Sequence, residues 1–567
     1  MDSEAVLRQR VLLGVASLSV EHCRDPTEGS SWRSTGQAAA EAAPSKRVHA
    51  GEHQIPGSHS ILCDRNSEDL ATAFVEPDCF KDLLLDQIVD SITVERDVYQ
   101  LRPYFYTPLV HLDSIAYRQA VFRDLEDRTF VLHLGVFARH MQRMRDLRSE
   151  ADQHRHPRQK QRGFVEAVDS YCAAVNILAQ DFDAATLGSV ALRQFRDYLC
   201  EYQKSAVFQA LGAESAHLKA GLAEIQYRLQ IEGLRITVSR YESDPDFGEA
   251  VARTFEKFRQ NSAVREYHYR LTPGSEFLTS VEAAILDRVA RLFPDTFNEL
   301  EQYCVRHRNY LDAVIGHFDR EIQFYLACRE HIERLSAAGV SFCFPELRDD
   351  LKEMDCRGVF DLALAAKLAI IPISPVTNDV RLSGAERILV VSGANQGGKT
   401  TFARMIGQLH YLARLGCPVP GTVVKLSLVN EVFTHFEREE DLSTLRSKLE
   451  EDLVRIHAIL ERAAPESLLI MNESFSSSTV RDALFLSGEV LRQIMRLDAI
   501  CVFVTFLDEL STLGPSTVSL VSTVKPEDPS QRTFKIVRQP ADGLAYALAI
   551  AAKHGLTYER TRSRLTE

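Results

Sequence analysis

One short stretch decides the fold of this chain: Gly393-Ala394-Asn395-Gln396-Gly397-Gly398-Lys399-Thr400. It fits the pattern G-x-x-x-x-G-K-[ST], in which glycines allow backbone N–H groups to turn onto phosphate oxygens. A β-type run (388–392) comes before it and an amphipathic helical run (399–415) comes after it, which is the strand–loop–helix order that the pattern requires. The sequence therefore predicts a phosphate-binding P-loop; the alternative is a glycine turn that merely precedes a helix.

The side chains at the end of this loop have predicted roles. Lys399 should reach the β and γ phosphates of a nucleotide, and the hydroxyl of Thr400 should ligate Mg²⁺. Such a site also needs a second strand that ends in polar groups beside the metal, and the run L-L-I-M-N-E at 468–473 is placed correctly. The sequence therefore predicts that these two strands end at one site.

The polar pair that ends this second run has one expected and one unexpected member. Asn472 stands where an aspartate is usual, so its hold on Mg²⁺ should lose a full charge. Glu473 can accept a proton from an attacking water molecule, which makes it the candidate general base. A plain polar pair at the end of a strand is the alternative interpretation.

Outward from the loop, strand-like and helical runs alternate. The strand-like runs are 388–392, 424–429, 468–471 and 500–505, and the helical runs are 399–415, 442–462 and 482–495. This alternation is typical of a parallel α/β domain, which we assign to residues 386–567. The runs 518–524 and 533–537 predict an antiparallel pair at the sheet edge, and 544–554 predicts a last helix.

The residues before this domain predict three further regions. Residues 79–339 have apolar positions three and four apart and form a helical core and lever region, and 340–385 form a connector with a strand or two. Residues 1–78 predict a disordered tail without chemistry, because much of the segment lacks any periodicity. The run between Pro294 and Gly339 predicts one helix of about 40 residues, roughly 60 Å long. Two helices with a break near Gly316 remain the alternative.

The overall composition excludes several classes of protein. The chain has 66 basic and 79 acidic residues, a net charge of -13, so it is not a bulk polycation that coats nucleic acid. Its 11 cysteines are scattered singly, which predicts reduced thiols in a cytoplasmic setting rather than a disulfide framework. No run approaches the roughly 18 apolar residues of a membrane span.

Four motifs resemble those of the MutS DNA mismatch repair ATPases. The stretch from Gly393 to Thr401 resembles their G-P-N-M-G-G-K-S-T, and T-N-D-V at 377–380 is similar to their P-N-D-V. The residues 433–436 and 440–447 look like their F-T-R-x and D-D-L-A-S-G-R-S. The residues 472–482 align without a gap on D-E-I-G-R-G-T-S-T-Y-D. The region of resemblance that these motifs mark covers about 190 residues.

The resemblance implies an ABC-type ATPase that binds ATP and Mg²⁺ and forms a homodimer. In such a dimer each nucleotide lies between one P-loop and the signature loop of the partner. Carried over to this sequence, Ser447 is the signature serine that contacts the γ-phosphate in trans, and Asn395 lies in the phosphate loop. The implied catalytic set is then Glu473, Lys399 and Ser447.

The departures from the family pattern are also informative. The histidine of the family's A-T-H is Phe506 here, and its aspartate is Asn472, so we expect slow turnover. The family's two glycines after the second strand are Phe475 and Ser477, so we expect a loop of different shape. We also recognise no mismatch-reading domain, which predicts a divergent, shortened member of the family.

A basic segment offers a possible contact with DNA. Eight basic residues occur between Arg139 and Arg162 with only three acidic ones: Arg139, Arg143, Arg145, Arg148, Arg155, Arg158, Lys160 and Arg162. The segment, or the tips of the lever, could neutralise phosphates. The alternative is a solvated loop joining two helices.

Three functions remain open from the sequence. The preferred one is a Mg-ATP-dependent dimeric clamp associated with DNA, and the second is a hydrolysis-impaired ATP-sensing scaffold with a protein partner. A small-molecule kinase is less well supported, because no acceptor-binding lid is apparent.

Overall fold

The computed structural model describes residues 59–64, 75–241, 254, 278–371, 373–437, 447–541, 556, 558 and 562. The described chain divides into two compact units. The first contains Leu132–Ala185 and Arg196–Ile315, and the second contains Pro56–Val131, Thr186–Phe195 and Gly316–Glu567. The predicted last helix at 544–554 lies outside the described residues.

The region between residues 79 and 336 is mostly helical, as predicted. Its elements are, in chain order, α1 (Cys79–Leu83), α2 (Leu85–Thr93), α3 (Arg102–Tyr106), α4 (Leu112–Asp124), α5 (Arg128–Gln153), α6 (Pro157–Ala184), α7 (Val190–Lys204), α8 (Ala206–Ala223), β1 (Tyr227–Glu232), β2 (Arg235–Arg240), α9 (Ser280–Leu292), α10 (Pro294–Arg306) and α11 (Ala313–Ser336). Apolar residues three to four positions apart form the faces that these helices bury.

The strand pair β1–β2 is an exception that the sequence analysis missed. The two strands pair antiparallel through a two-residue turn, with Glu232 opposite Arg235. Gly233 in this turn has a φ of 59°, a left-handed conformation that favours glycine. The alternation of polar and apolar residues over 227–240 was the available signal for this hairpin.

The prediction of one 40-residue helix is wrong. Helix α10 ends at Arg306 and α11 begins at Ala313, so the chain breaks at 307–312 and not near Gly316, which lies inside α11. The side chain of Asp312 explains the position of the break, because its Oδ1 accepts the N–H groups of Val314 and Ile315, both at 3.0 Å. An aspartate that caps a helix in this way fixes where the helix begins.

The second unit contains the strands that follow the helical region. They are, in chain order, β3 (Phe342–Cys343), β4 (Glu346–Arg348), β5 (Met354–Val359), β6 (Asn378–Leu382), β7 (Ile388–Gly393), β8 (Val419–Pro420), β9 (Val423–Ser427), β10 (Glu431–His435), β11 (Ser467–Asn472), β12 (Ile500–Val504), β13 (Thr517–Lys525) and β14 (Asp528–Arg538). The helices α12 (Leu362–Ala369), α13 (Lys399–Arg414), α14 (Lys448–Arg462) and α15 (Val480–Leu497) alternate with them.

A six-stranded sheet in the order β10-β11-β12-β7-β13-β14 forms the centre of this unit. Its strands are parallel except for β14, which pairs antiparallel with β13 at the edge. The predicted α/β domain and its antiparallel edge pair are therefore confirmed. Only β12 separates β7 from β11, so the carboxyl ends of these two strands lie close together at one edge of the sheet.

Two strand assignments differ from the prediction. The predicted strand at 424–429 does not join the parallel sheet, because β9 pairs with β4 and β5 in a separate four-stranded sheet of order β4-β9-β5-β6. The predicted connector supplies three strands of that sheet, which is more than the strand or two expected. The edge strand of the parallel sheet is instead β10, which the sequence analysis read only as a motif.

Part of the predicted disordered tail is buried. Within residues 59–64, Ile61 and Leu62 have no exposed surface. Glu321 of α11 accepts the N–H of Ile61 at 2.8 Å, and Tyr325 donates its hydroxyl proton to the Ile61 carbonyl at 2.6 Å. Arg118 of α4 donates to the Leu62 carbonyl at 2.8 Å. The prediction is wrong for this segment, because side chains of two helices satisfy its backbone groups and its apolar side chains are buried.

Candidate functional site

The glycine loop (Gly393–Gly398) joins the end of β7 to the start of α13. Gly393, Gln396 and Gly398 have φ values of 100°, 59° and 92°, so the backbone turns repeatedly through left-handed conformations. A Cβ at Gly393 would lie 2.9 Å from the backbone oxygen of Ser522, and one at Gly397 would overlap the Ser522 side chain. Glycine is required at these two positions by the close approach of β13.

The side chain of Lys399 is buried inside this loop. Its Nζ donates to the Gly393 carbonyl at 3.0 Å and to Asn395 Oδ1 at 3.1 Å. Burial lowers the pKa of Lys399, whereas the carboxylates of Glu473 and Asp508 oppose that shift. The lysine is thus held by the oxygens of the loop that it follows in sequence.

The two predicted strand ends meet at Thr400 and Asn472. The Thr400 hydroxyl donates to Asn472 Oδ1 at 2.9 Å, although the two residues are 72 positions apart. Glu473 follows directly, and its Oε1 lies 4.0 Å from Lys399 Nζ. The structure therefore brings together Lys399, Thr400, Asn472 and Glu473, as the sequence predicted.

The donor set at this point suits a magnesium ion. A hydroxyl, an amide oxygen and a carboxylate are hard oxygen ligands, and Mg²⁺ is usually held by few protein groups together with phosphate oxygens. Thr400 and Asn472 could each offer an oxygen, and the Glu473 side chain is 34% exposed beside them. Because the amide of Asn472 is neutral, the phosphates would have to supply more of the negative charge that balances Mg²⁺.

The comparison with known families identifies this region. Residues 389–558 match the family described as MutS domain V. This part of the chain is a MutS domain V. The match begins within β7 and includes the glycine loop, Asn472 and Glu473. MutS-family proteins are ATPases that use ATP and Mg²⁺ and act as dimers on DNA in mismatch repair.

Ser447 lies at the amino end of α14. Its hydroxyl accepts the N–H of Glu450 at 3.3 Å, so the residue caps this helix. The preceding signature residues 440–446 lie outside the described residues. The role carried over from the MutS family acts between two chains, so the contact of Ser447 with a partner's nucleotide stays a prediction.

Phe506 follows β12 where that strand ends beside β7. The neighbouring residue Thr505 donates its N–H to the Val391 carbonyl at 3.0 Å, which fixes the end of β12 against the strand that enters the glycine loop. The Phe506 side chain is 47% exposed. A phenyl ring at this position cannot donate the hydrogen bond that the MutS histidine would offer.

The loop after β11 has an unusual backbone conformation at Phe475, and its difference in shape from the family's loop stays a prediction. Phe475, which replaces a MutS glycine, has a φ of 63° and thus adopts the left-handed conformation that glycine favours. Its ring has no exposed surface and packs in the core beside Met471 and Leu507. Burial of the ring can offset the cost of this conformation.

Several residues that surround the loop were not predicted from the sequence. On the hairpin β13–β14, Arg532 donates to the Asn395 carbonyl at 3.1 Å, and Phe534 lies against Gly398. Asn378 holds this hairpin, because it accepts the N–H of Ile536 at 2.8 Å and donates to the Phe534 carbonyl. The T-N-D-V motif was the signal for Asn378, whereas nothing local indicated Arg532.

A buried polar group of three residues was also missed. Ser474, His435 and Asp452 lie on three different elements next to Glu473, and His435 contacts the other two. His435 lies in the motif at 433–436, and that resemblance assigned it no role. The partners of His435 are 17 and 39 positions away, so spacing could not reveal them.

The predicted basic segment lies in the first unit. The prediction of a solvated loop is wrong, because helices α5 and α6 contain all of 139–162 except the turn at 154–156. Intramolecular ion pairs join Arg143 with Glu150 (3.9 Å), Arg158 with Glu301 (3.1 Å) and Arg162 with Glu166 (2.6 Å). These pairs reduce the positive charge that the segment can offer to DNA.

The sequence predicted no membrane span. No described helix combines the length and the apolar composition that a membrane span needs.

Proposed function

We propose that this MutS-family chain is a Mg²⁺-dependent, ABC-type ATPase that works as a dimeric conformational clamp associated with DNA. The observation that supports it best is the convergence of Lys399, Thr400, Asn472 and Glu473 at the carboxyl edge of one parallel sheet. Phosphate-binding loops of α/β proteins occupy this edge, where helix N-termini and backbone N–H groups point outward. The alternative of a simple glycine turn explains none of these contacts.

In the proposed reaction, the glycine loop and the amino end of α13 bind the phosphates of ATP. Lys399 contacts the β and γ phosphates, and Thr400 and Asn472 hold the metal. Mg²⁺, when bound, neutralises charge that develops on the phosphate oxygens. Water attacks the γ-phosphorus, the bond from that phosphorus to the β–γ bridging oxygen breaks, and Glu473 accepts the water proton.

The proposed dimer is inferred from a sequence motif, and the proposed DNA contact is inferred from a basic segment. Ser447 would reach the γ-phosphate bound by the partner, as its place in the signature motif implies. The segment from Arg139 to Arg162 would contribute phosphate contacts through those arginines that the ion pairs leave available. The single lever of 40 residues forms no part of the proposal, since the chain breaks at 307–312.

Nucleotide and DNA binding test this proposal directly. Equilibrium dialysis of the full chain with ATP and Mg²⁺ should show retention of nucleotide, and phosphate release should be slow but measurable. Binding to homoduplex, mismatched and branched DNA should weaken steeply as salt rises, because released counterions drive phosphate contacts. Failure to retain ATP would overturn the ATPase proposal. Nucleotide retention without any salt-dependent DNA binding would overturn only the DNA part.

The second candidate is a hydrolysis-impaired ATP-sensing scaffold with a protein partner. Asn472 and Phe506 favour it, because both positions lack groups that support hydrolysis. Phosphate release at the rate usual for such enzymes, about 1 per second or faster, would remove this candidate.

We expect the double substitution Asn472→Asp with Phe506→His to raise the turnover number by about tenfold. The aspartate would restore a negative charge beside Mg²⁺, and the imidazole would donate a hydrogen bond near the γ-phosphate. Phosphate release at saturating ATP measures the gain. Asn472→Asp with Phe506→Leu is the matched control, since it keeps an apolar side chain at 506. An unchanged turnover number in the double variant would show that other features limit hydrolysis.

A further inference from the structure

A buried polar network lies directly behind Glu473. Ser474 Oγ and His435 Nδ1 are 3.1 Å apart, and His435 Nε2 lies 3.2 Å from Asp452 Oδ1. The exposed fractions of Ser474, His435 and Asp452 are 7%, 1% and 7%. Close contacts between buried polar and charged groups hold the elements that carry them in one arrangement.

The order of serine, histidine and aspartate does not make this network a nucleophilic site. Such a site needs a serine hydroxyl that a substrate can reach. Ser474 is buried, and its hydroxyl faces the ring of His435. A positioning role therefore fits the three residues better than direct chemistry.

The network holds a strained stretch of backbone. Glu473 and Phe475, on the two sides of Ser474, have φ values of 51° and 63°. Residues other than glycine rarely adopt these values, and each costs on the order of 1 kcal/mol unless the surroundings enforce it. Hydrogen bonding of the Glu473 N–H to the Val504 carbonyl at 2.9 Å and burial of the Phe475 ring fix the two ends. Between these two ends, the contact of Ser474 with His435 holds the middle of the stretch.

Asp452 connects this stretch to the helix that begins after Ser447. Burial raises the pKa of Asp452, but the nearby His435 ring and the Phe475 N–H outweigh it and leave the pKa below its usual value. Asp452 thus contacts both the edge strand β10 and the loop after β11. It lies in the second turn of α14, whose first residue follows Ser447.

We propose that Ser474, His435 and Asp452 are positioning residues that orient the carboxylate of Glu473 and connect its loop to the helix capped by Ser447. This inference rests on the proposed ATPase function. In the proposed dimer, Ser447 contacts the partner's nucleotide while Glu473 acts on the chain's own. The network would then link the state of one nucleotide site to the geometry of the other through α14.

Two small substitutions in the full-length chain test the proposal. Ser474→Ala removes one hydroxyl, and Asp452→Asn removes one charge with little change of shape. Each should lower the turnover number about tenfold or more, because a displaced general base loses much of its effect. The dissociation constant for ATP, measured by equilibrium dialysis, should stay within about twofold, since neither residue contacts the glycine loop.

The decisive measurement is made in the Glu473→Gln background. If Ser474 acts through Glu473, then adding Ser474→Ala to Glu473→Gln should change the single-turnover rate by less than about twofold. Ser476→Ala is the matched control, because Ser476 lies in the same loop and, among the described residues, its hydroxyl donates to the exposed Glu437, at 3.4 Å. This control should keep wild-type turnover. The thermal unfolding midpoint of each variant reports any general loss of stability.

The outcomes separate the two proposals. Wild-type turnover in both Ser474→Ala and Asp452→Asn would overturn the positioning role and leave the ATPase proposal intact. An additive loss in the Glu473→Gln background would also overturn it, because the residues would then act independently of Glu473. A wild-type chain without Glu473-dependent phosphate release would overturn the ATPase proposal, and the inference that rests on it.

Discussion

Replacing Glu473 by glutamine should lower the rate of ATP hydrolysis by about a hundredfold or more. Glutamine has nearly the same shape but cannot accept a proton from the attacking water. The carboxylate follows β11 and lies 4.0 Å from Lys399 Nζ, so it is close to where the γ-phosphate is expected. Single-turnover phosphate release at saturating ATP and Mg²⁺ measures the loss.

The same substitution should leave ATP binding unchanged or make it tighter. The Glu473 carboxylate lies beside Lys399, and it would repel the phosphates of a bound nucleotide. Removing that charge frees the lysine to interact with the phosphates alone. Equilibrium dialysis with the Glu473→Gln variant should therefore show full retention of ATP, which separates a defect in chemistry from a defect in binding.

Glu466→Gln provides the matched control for this experiment. Glu466 precedes β11 at the opposite end from Glu473, and its side chain is exposed. The control should hydrolyse ATP at the wild-type rate. Equal hydrolysis in Glu473→Gln and Glu466→Gln would mean that another group accepts the proton, and the proposed role of Glu473 would be abandoned.

The central part of the fold could be predicted because its signals are local. The strand, the glycine loop and the helix around 393–400 are adjacent in sequence, and each has its own periodicity or composition. The pairing of Thr400 with Asn472 followed from a general property of parallel sheets, whose strand ends meet at one edge. These features needed no knowledge of distant contacts.

The features that were predicted wrongly depend on tertiary contacts. The spacing of apolar residues continues across 307–312, so it does not reveal the break in the helix. Asp312 begins the next helix, and the Tyr198 hydroxyl, which donates to it at 2.9 Å, is a partner distant in sequence. The run at 424–429 has the composition of any buried strand, and only its pairing with β4 and β5 places it in the second sheet. Composition alone could not reveal either partner.

Only part of the candidate site could be predicted, because the rest of it also depends on tertiary contacts. Lys399, Thr400, Asn472 and Glu473 belong to motifs with fixed spacing, and the structure brings them together. The network behind Glu473 consists of contacts between three separate elements, for which no spacing rule exists. Sequence patterns therefore identified the residues expected to contact the nucleotide but not those that hold them in place.

Glu321 should make the stability of the second unit fall as pH rises. The residue is only 3% exposed, and burial raises its pKa from 4.5 to about 7, although hydrogen bonds from Ser60 and Ile61 oppose the shift. The folded chain therefore keeps the proton at pH values where the unfolded chain has lost it. Its contribution to stability is complete below about pH 4.5 and is lost as pH rises through about 7.

The size of this effect follows from the shift in pKa. A rise from 4.5 to about 7 corresponds to about 3 kcal/mol, which is a large part of the stability of an ordinary domain. The same carboxyl holds the segment 59–64, so that segment should be the first part of the unit to loosen at alkaline pH. Hydrogen exchange of the Ile61 amide would report this local change.

We expect Glu321→Gln to remove most of this pH dependence. The amide keeps an oxygen that can accept the N–H of Ile61 and offers a donor to Ser60, without a charge that must be buried. The variant should match the wild-type chain at pH 4 and exceed its free energy of unfolding by up to about 3 kcal/mol at pH 8. Urea unfolding at both pH values measures the difference. Glu330→Gln, on the same helix but with a side chain that is 61% exposed, is the control. Equal pH dependence in Glu321→Gln and the wild-type chain would show that the buried carboxyl does not hold its proton.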